Sequence, residues 1–472
     1  MIKTINSFYI IIFELLILFV LSGYGVMSPG IESCYAAYNF TVEQEEKLGR
    51  KFKNELQKHL ELIQDPSIQR YIDGIGNKII SQLEYKPFDF NFYIYDASDP
   101  NAFAIPAGYI YISTGLITLA ENESEIAGVL SHEIAHVTER HIAEKIEKDK
   151  MINLGTLIAI LAGMFLGGSD KAASAVGAFS IATAQTLSLK YTRENEEEAD
   201  RLGLDYLIKA GYNGKAMITF LKKIRRYHVQ AFQTPPYLLT HPEIENRTDY
   251  LDIMLNRFPQ QEEYKDRVDN FQRIKARVIA SCWAPQNAMD YFKSMLKSNP
   301  RRFDLIYGLA LTNQRLKNYN EAINWLNLVL KINPEDSEVL RDIGVCFFFI
   351  EKPDDAIVFL QRAVAKNEKD KNAFFYLGLS HQENGNYKEA IEAYVIVRNL
   401  DKGFTHVYYN LGVAYGHIED LAESHRNFGI FFKLKGKKDS ALFHFKKALN
   451  YYKEGAEKRK EVLKELEEIK SE

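Results

Sequence analysis

The chain has 472 residues, 46% of them apolar and 26% charged, with 27 glycines and 13 prolines; that is room for about three domains and excludes a largely disordered, collagen-like or multi-span membrane chain. Lys plus Arg number 59 against 63 Asp plus Glu, a net charge of −4, so no basic excess points to nucleic acid. Three cysteines, at 34, 282 and 346, cannot build a disulfide scaffold.

Lys3 precedes an apolar run from Phe8 to Leu21, interrupted by Glu14 and followed by small and turn-forming residues. This is the order of a secretory signal peptide, and the run is short for a membrane span of about 20 residues. Cleavage after Ala36 makes residues 1–36 the predicted signal. An uncleaved anchor and lipid attachment at Cys34 are the other readings, the latter poorly served by Glu32. All three put the rest of the chain outside the cytoplasm.

Two segments alternate as strands do: Phe88-Asp89-Phe90-Asn91-Phe92 and Tyr109 to Ser113, and they could pair as a small sheet. Next comes a helical pattern. Asn122 with Glu125 makes a capping pair, and Ile126, Val129, Leu130, Ile134 and Val137 recur at helical spacing. Within it stand His132, Glu133 and His136, a His-Glu-x-x-His motif. Residues four apart share a helix face, so His132 and His136 can present two imidazoles to one zinc ion. Glu133, beside them, is placed to take a proton from water. His141 fits neither role by spacing and reads as structural.

Met151 to Gly167 and Ala172 to Leu189 carry no charge, with Asp170 and Lys171 between them. They read as two helices covering the active site; a membrane hairpin is the alternative, because each is near the lower limit of a span. The acid-rich run from Arg193 to Asp200 then offers a third ligand, since catalytic zinc takes three protein ligands and leaves one position for water. Glu196 and Asp200 lie four apart, so one could bind metal while the other orients a histidine. Spacing alone does not choose among Glu194, Glu196, Glu197 and Glu198.

The C-terminal half repeats itself. Ala288, Ala322, Ala356 and Ala390 recur every 34 residues, as do Pro300 and Pro334, and Gly344, Gly378 and Gly412; Phe292, Leu326, Leu360 and Tyr394 each follow an alanine by four. This is the tetratricopeptide pattern of paired antiparallel helices. Small residues mark close helix approach, and the large ones are expected between neighbouring repeats. Four repeats run from about Asp269 to Gly403, a fifth starts near Thr405, and a shifted match at Gly429, Ala441, Phe445 and Ala448 carries helices to about Tyr452. Cys282 and Cys346 fall in different repeats and are expected as lone buried thiols.

His132-Glu133-x-x-His136 together with Arg193, Glu196, Glu198, Ala199 and Asp200 resembles the zinc peptidase family of HtpX, the CAAX prenyl proteases and the mitochondrial OMA proteases. With the repeat tail, the chain is most similar to the periplasmic BepA-type (YfgC-like) group. The resemblance implies a mainly α protein: an α+β gluzincin-like metalloprotease domain with a small β-sheet over 37–260, an all-α tetratricopeptide solenoid over 265–455, and a charged C-terminal helix over 456–472. It makes His132, His136 and Glu196 the ligands of one zinc ion, Glu133 the general base and acid, and Asp200 the residue that orients a histidine. Asn101, Ala102, Phe103 and Gly108 match a strand that holds substrate backbone by strand addition; the family more often has Gly at Ala107. His241, in Thr240-His241-Pro242 ahead of Arg247, matches a histidine that can reach the zinc as a latency switch, or it could serve the oxyanion.

The implied function is a secreted zinc-dependent endopeptidase of the periplasm, in quality control and assembly of outer-membrane proteins. Its partners would be misfolded outer-membrane proteins and, through the repeats, the barrel-assembly machinery, with peripheral membrane association. The alternative is an envelope scaffold or chaperone acting through its repeats, with a latent zinc site.

Overall fold

The computed structural model describes residues 41–148, 191–231, 234–258 and 268–471. The expected signal peptide, Cys34 and the uncharged insertion at 151–189 lie outside these residues.

Helix α1 (Val42–His59) starts at a capping box between Thr41 and Gln44 and buries Gly49, Phe52 and Leu56. Helix α2 (Pro66–Ile80) starts at Asp65, whose carboxylate accepts from two backbone N–H groups, with Pro66 at its first position, where a missing N–H costs nothing. A three-stranded sheet follows: β1 (Asn91–Tyr95), β2 (Ala102–Ile105) and β3 (Tyr109–Ser113), in the order β1-β3-β2. The expected pairing partner of Tyr109 to Ser113 is therefore displaced. Phe88 to Phe90 precede β1, which pairs parallel to β3 from Asn91↔Tyr109, and the antiparallel partner is β2. The β2–β3 turn puts Ala107 at φ 67 and Gly108 at φ 81. A Cβ on Gly108 would stand 2.5 Å from the Asp89 carbonyl oxygen. Ala107 instead carries its Cβ in the left-handed region, where glycine is favoured.

The sheet separates two apolar layers, as alternating strands do. Phe103, Ile105, Tyr95 and Tyr111 face α1. Ala102, Ala104, Ile94, Ile110 and Ile112 face the larger core with α2 and α4 (Glu123–Thr138). Between them α3 (Thr114–Leu119) leads into α4. Asn122 caps α4 as expected, accepting from Glu125 N. The Glu125 carboxylate, however, accepts from Glu121 N and pairs with Lys223 rather than closing the box. All of α4 from Glu123 to Val137 is buried. It is a central helix with no solvent face.

Around it lie α5 (His141–Lys148), α6 (Arg193–Lys209), α7 (Lys215–Ala231), α8 (Pro236–Thr240) and α9 (Ile244–Leu255). Helix α6 crosses α4 at Gly203, where a Cβ would meet the His132 backbone at 3.1 Å.

The repeats run through α10 (Val268–Cys282), α11 (Pro285–Ser298), α12 (Phe303–Arg315), α13 (Tyr319–Leu330), α14 (Ser337–Phe349), α15 (Pro353–Lys366), α16 (Lys371–Glu383), α17 (Tyr387–Leu400), α18 (Thr405–His417), α19 (Leu421–Leu434), α20 (Lys438–Tyr451) and α21 (Glu457–Ser471). The large residues pack onto glycines both within and between repeats: a Cβ on Gly344 would meet Leu360 and one on Gly378 would meet Tyr394 of the same repeat, whereas one on Gly308 would meet Phe292 of the preceding repeat. The shifted match has a simple cause. Phe428 of α19 covers Gly412, while Gly429 of the same helix receives Phe445, so α19 is the second helix of one pair and the first of the next. The charged last helix is amphipathic: Val462, Leu466 and Ile469 are buried with Phe445 and Ala448, a cap on the solenoid.

Helix α10 belongs to both halves. Phe271, Ile274 and Val278 sit in the core of the N-terminal half, and Ala276, Ile279 and Ala280 in that of the repeats. Ion pairs reinforce the junction: Arg277 Nε lies 2.6 Å from Asp65 Oδ2 and Arg70 Nη2 3.3 Å from Glu338 Oε1. Both described cysteines are free; Cys346 is buried but Cys282 only partly so. Burial pushes each thiol up to about 12, so neither is poised to react.

Candidate active site

One turn of α4 separates His132 from His136, and their Nε2 atoms converge to 3.0 Å. Helix α6 brings Glu196, its Oε1 3.4 Å from His136 Nε2. Burial separates the four acids left open by spacing: Glu196 is 3% exposed, Glu198 is half-buried, and Glu194 and Glu197 face solvent. One turn on, Asp200 Oδ1 sits 2.8 Å from His132 Nδ1. Its carboxylate accepts the ring N–H there, which leaves Nε2 as the free lone pair.

His241, at the end of α8, enters the same cluster. Its Nδ1 is 2.8 Å from Glu196 Oε1 and 3.2 Å from His132 Nε2, and its Nε2 is 3.3 Å from Glu133 Oε1. Ligand atoms of His132, His136, Glu196 and His241 all lie within 4.8 Å of one another. Such a group suits a divalent metal ion. Three buried imidazoles facing one carboxylate would be costly without a cation to share. Glu133 is fully buried, with His241 Nε2 beside its Oε1 and no other hydrogen-bond partner among the described residues.

Several residues complete the site, of which the sequence had named Arg247 only as part of the segment around His241. Arg247 of α9 reaches Asp200 with Nε and Nη2 and Glu196 with Nη1. Tyr250 also donates to Asp200. Burial opposes ionisation of both carboxylates, but Arg247 outweighs it, helped by His241 at Glu196 and His132 at Asp200, and holds both well below the usual carboxylate range. Burial pushes His136 well down and keeps its imidazole neutral, the form that ligates. Tyr191 stacks on His136 with ring centroids 3.8 Å apart. His141, read as structural, is 2% exposed and stands 2.9 Å from His136 Nδ1.

The strand residues separate in role. Ala102 and Phe103 lie in β2, while Asn101 precedes it and Gly108 belongs to the following turn. Asn101 donates to the Tyr95 hydroxyl, and the Phe103 ring stacks on Tyr111, away from α4. Among the described residues no strand pairs with the outer edge of β2.

Residues 66–254 match peptidase family M48, and 284–341 and 347–400 match tetratricopeptide repeats. The chain is similar to the beta-barrel assembly-enhancing protease of Escherichia coli, 30% identical over 63% of this chain and 62% of that protein. It is similar to its Yersinia pestis namesake, 29% identical over 71% and 69%. The mitochondrial metalloendopeptidase OMA1 of Arabidopsis thaliana is 33% identical over 32% of this chain and 28% of its own. The chain thus spans between three fifths and seven tenths of the length of the two bacterial relatives.

Proposed function

Because residues 66–254 match peptidase family M48 and the following residues match tetratricopeptide repeats, we propose that the chain is a zinc-dependent endopeptidase of the cell envelope. The observation that carries this is the convergence of two imidazoles and the Glu196 carboxylate beside the fully buried Glu133. His132, His136 and Glu196 are the donor set of catalytic zinc with one position left for water. When bound, zinc supplies Lewis acidity: it polarises the scissile carbonyl and makes water more acidic.

Glu133 takes the proton of the attacking water on a carboxylate oxygen and returns it to the departing amine nitrogen. Asp200 holds His132 in the tautomer whose Nε2 faces the metal. The open edge of β2 suits an extended substrate backbone, added as a further strand. Names of relatives support the substrate: chains engaged in β-barrel assembly, with the repeats as the docking surface. The periplasm is the matching compartment, and no described helix is long and apolar enough to cross a membrane.

His241 favours a resting state that is latent. It stands between Glu133 and Glu196, where substrate and water must enter. A scaffold role for the repeats would then coexist with a closed protease.

The test is zinc content of the purified mature protein, wild type beside His136→Ala and Glu196→Ala. One zinc in wild type and its loss in both variants is expected. A wild type that stays zinc-free after metal-replete purification overturns the protease reading.

A further inference from the structure

We propose that His141 is the positioning residue for the metal ligand His136, and that Glu198 sets its tautomer. The inference rests on the zinc reading above.

His141 follows His136 by five positions. On a continuous helix it would point about 140° away from it. The chain does not continue. Helix α4 stops at Thr138, Arg140 takes φ 54, and α5 starts at His141. Arg140 is held in that left-handed conformation by Glu45 of α1, with Nε 2.8 Å from Oε2 and both side chains largely buried. The bend swings His141 back over α4. Its Nδ1 comes to rest 2.9 Å from His136 Nδ1, and its Nε2 lies 3.2 Å from Glu198 Oε2.

The proton positions follow from the partners. His136 faces the cluster with Nε2, so its hydrogen is on Nδ1 and points at His141. A ring nitrogen accepts only when it carries no hydrogen. Glu198 fixes this by accepting from His141 Nε2–H, which leaves Nδ1 of His141 as a lone pair. The donor chain runs one way: His136 Nδ1–H to His141, then His141 Nε2–H to Glu198. Tyr191 closes the face of the His136 ring.

Each zinc-facing histidine is thus oriented from behind by a different group. His132 leans on a buried carboxylate, Asp200. His136 leans on a neutral imidazole whose own carboxylate is 44% exposed. Partners of this kind are worth about 10- to 100-fold in metal affinity.

The experiment is zinc affinity by chelator competition on the full chain, with thermal unfolding of the zinc-free protein in parallel. His141→Leu removes the acceptor and should weaken zinc by about 10- to 100-fold. His141→Asn keeps an acceptor near the Nδ1 position and should recover much of that loss. A merely structural residue would lower the melting temperature of both variants and leave zinc affinity alone. Equal affinity in wild type and His141→Leu overturns the inference while leaving the zinc reading intact; a wild type without zinc overturns both. Should His141→Leu fail to fold, Glu198→Ala carries the test from a partly exposed position. A several-fold loss of zinc affinity there supports the inference, and no change overturns it.

Discussion

Arg247 grips Asp200 through two parallel hydrogen bonds, Nε to Oδ2 and Nη2 to Oδ1, each 2.8 Å, while its Nη1 stands 2.6 Å from Glu196 Oε2. One guanidinium therefore serves the expected third ligand and the carboxylate that orients His132. A planar fork can do this; a lysine ammonium cannot reproduce it. All three residues are buried. Arg247→Leu leaves two carboxylates without their counter-ion and should cost about 3–5 kcal/mol, read by denaturant unfolding of the zinc-free protein. Arg247→Lys should fall between that variant and wild type. A loss under about 1 kcal/mol for the leucine variant would mean that His132 and His241 already balance the pair.

Glu133→Gln keeps the shape of the side chain and removes its capacity to take a proton. Hydrolysis of an unfolded protein substrate should drop by about 10²- to 10⁴-fold, with zinc content unchanged. A variant that cleaves at the wild-type rate would place the base elsewhere.

His241 bridges Glu133 and Glu196, so its removal opens the space between base and ligand. His241→Ala should cleave faster than wild type at unchanged zinc content, measured as initial rates on the same substrate. Slower cleavage would instead make His241 a donor to the oxyanion, the other role its position allows.

Glu338 ties the repeats to the N-terminal half, accepting from Ser67 and lying beside Arg70 and Arg273. Burial opposes its ionisation, but Arg341, Arg277 and Arg273 outweigh it and bring the carboxyl from 4.5 down to about 2. The folded state thus binds the proton less readily than the unfolded one. The stabilisation is complete above about pH 4.5 and is lost as pH falls toward about 2. Glu338→Gln should be less stable than wild type at about pH 6 and should lose less on acidification. Chemical unfolding of both at about pH 6 and pH 3 checks this; parallel pH profiles would sink it.

The sequence by itself determined what is periodic along the chain. His132, Glu133 and His136 are legible because one helical turn brings i and i+4 together, whatever packs around them. The repeats are legible because each glycine or alanine must recur where a large side chain of the facing helix lands, as Gly378 does under Tyr394. Ala107 stands out only against the family pattern, and its left-handed φ explains why glycine suits that turn. Only tertiary structure decided which distant faces meet. Among four nearby acids Glu196 is the one that meets the histidines, because α6 crosses α4 at Gly203 and turns that residue inward. Arg247 and Tyr250 reach Asp200 from a helix more than 40 residues away, and no local period records that. The sheet pairs β1 with β3 in parallel and leaves β2 as its antiparallel neighbour, a choice that alternation alone leaves open. His141 joins the site only through the bend at Arg140, held by a glutamate 95 residues earlier in the chain. Periodicity is a property of one element and can be read from it, whereas burial and counter-charge belong to pairs of elements and exist only once they have packed.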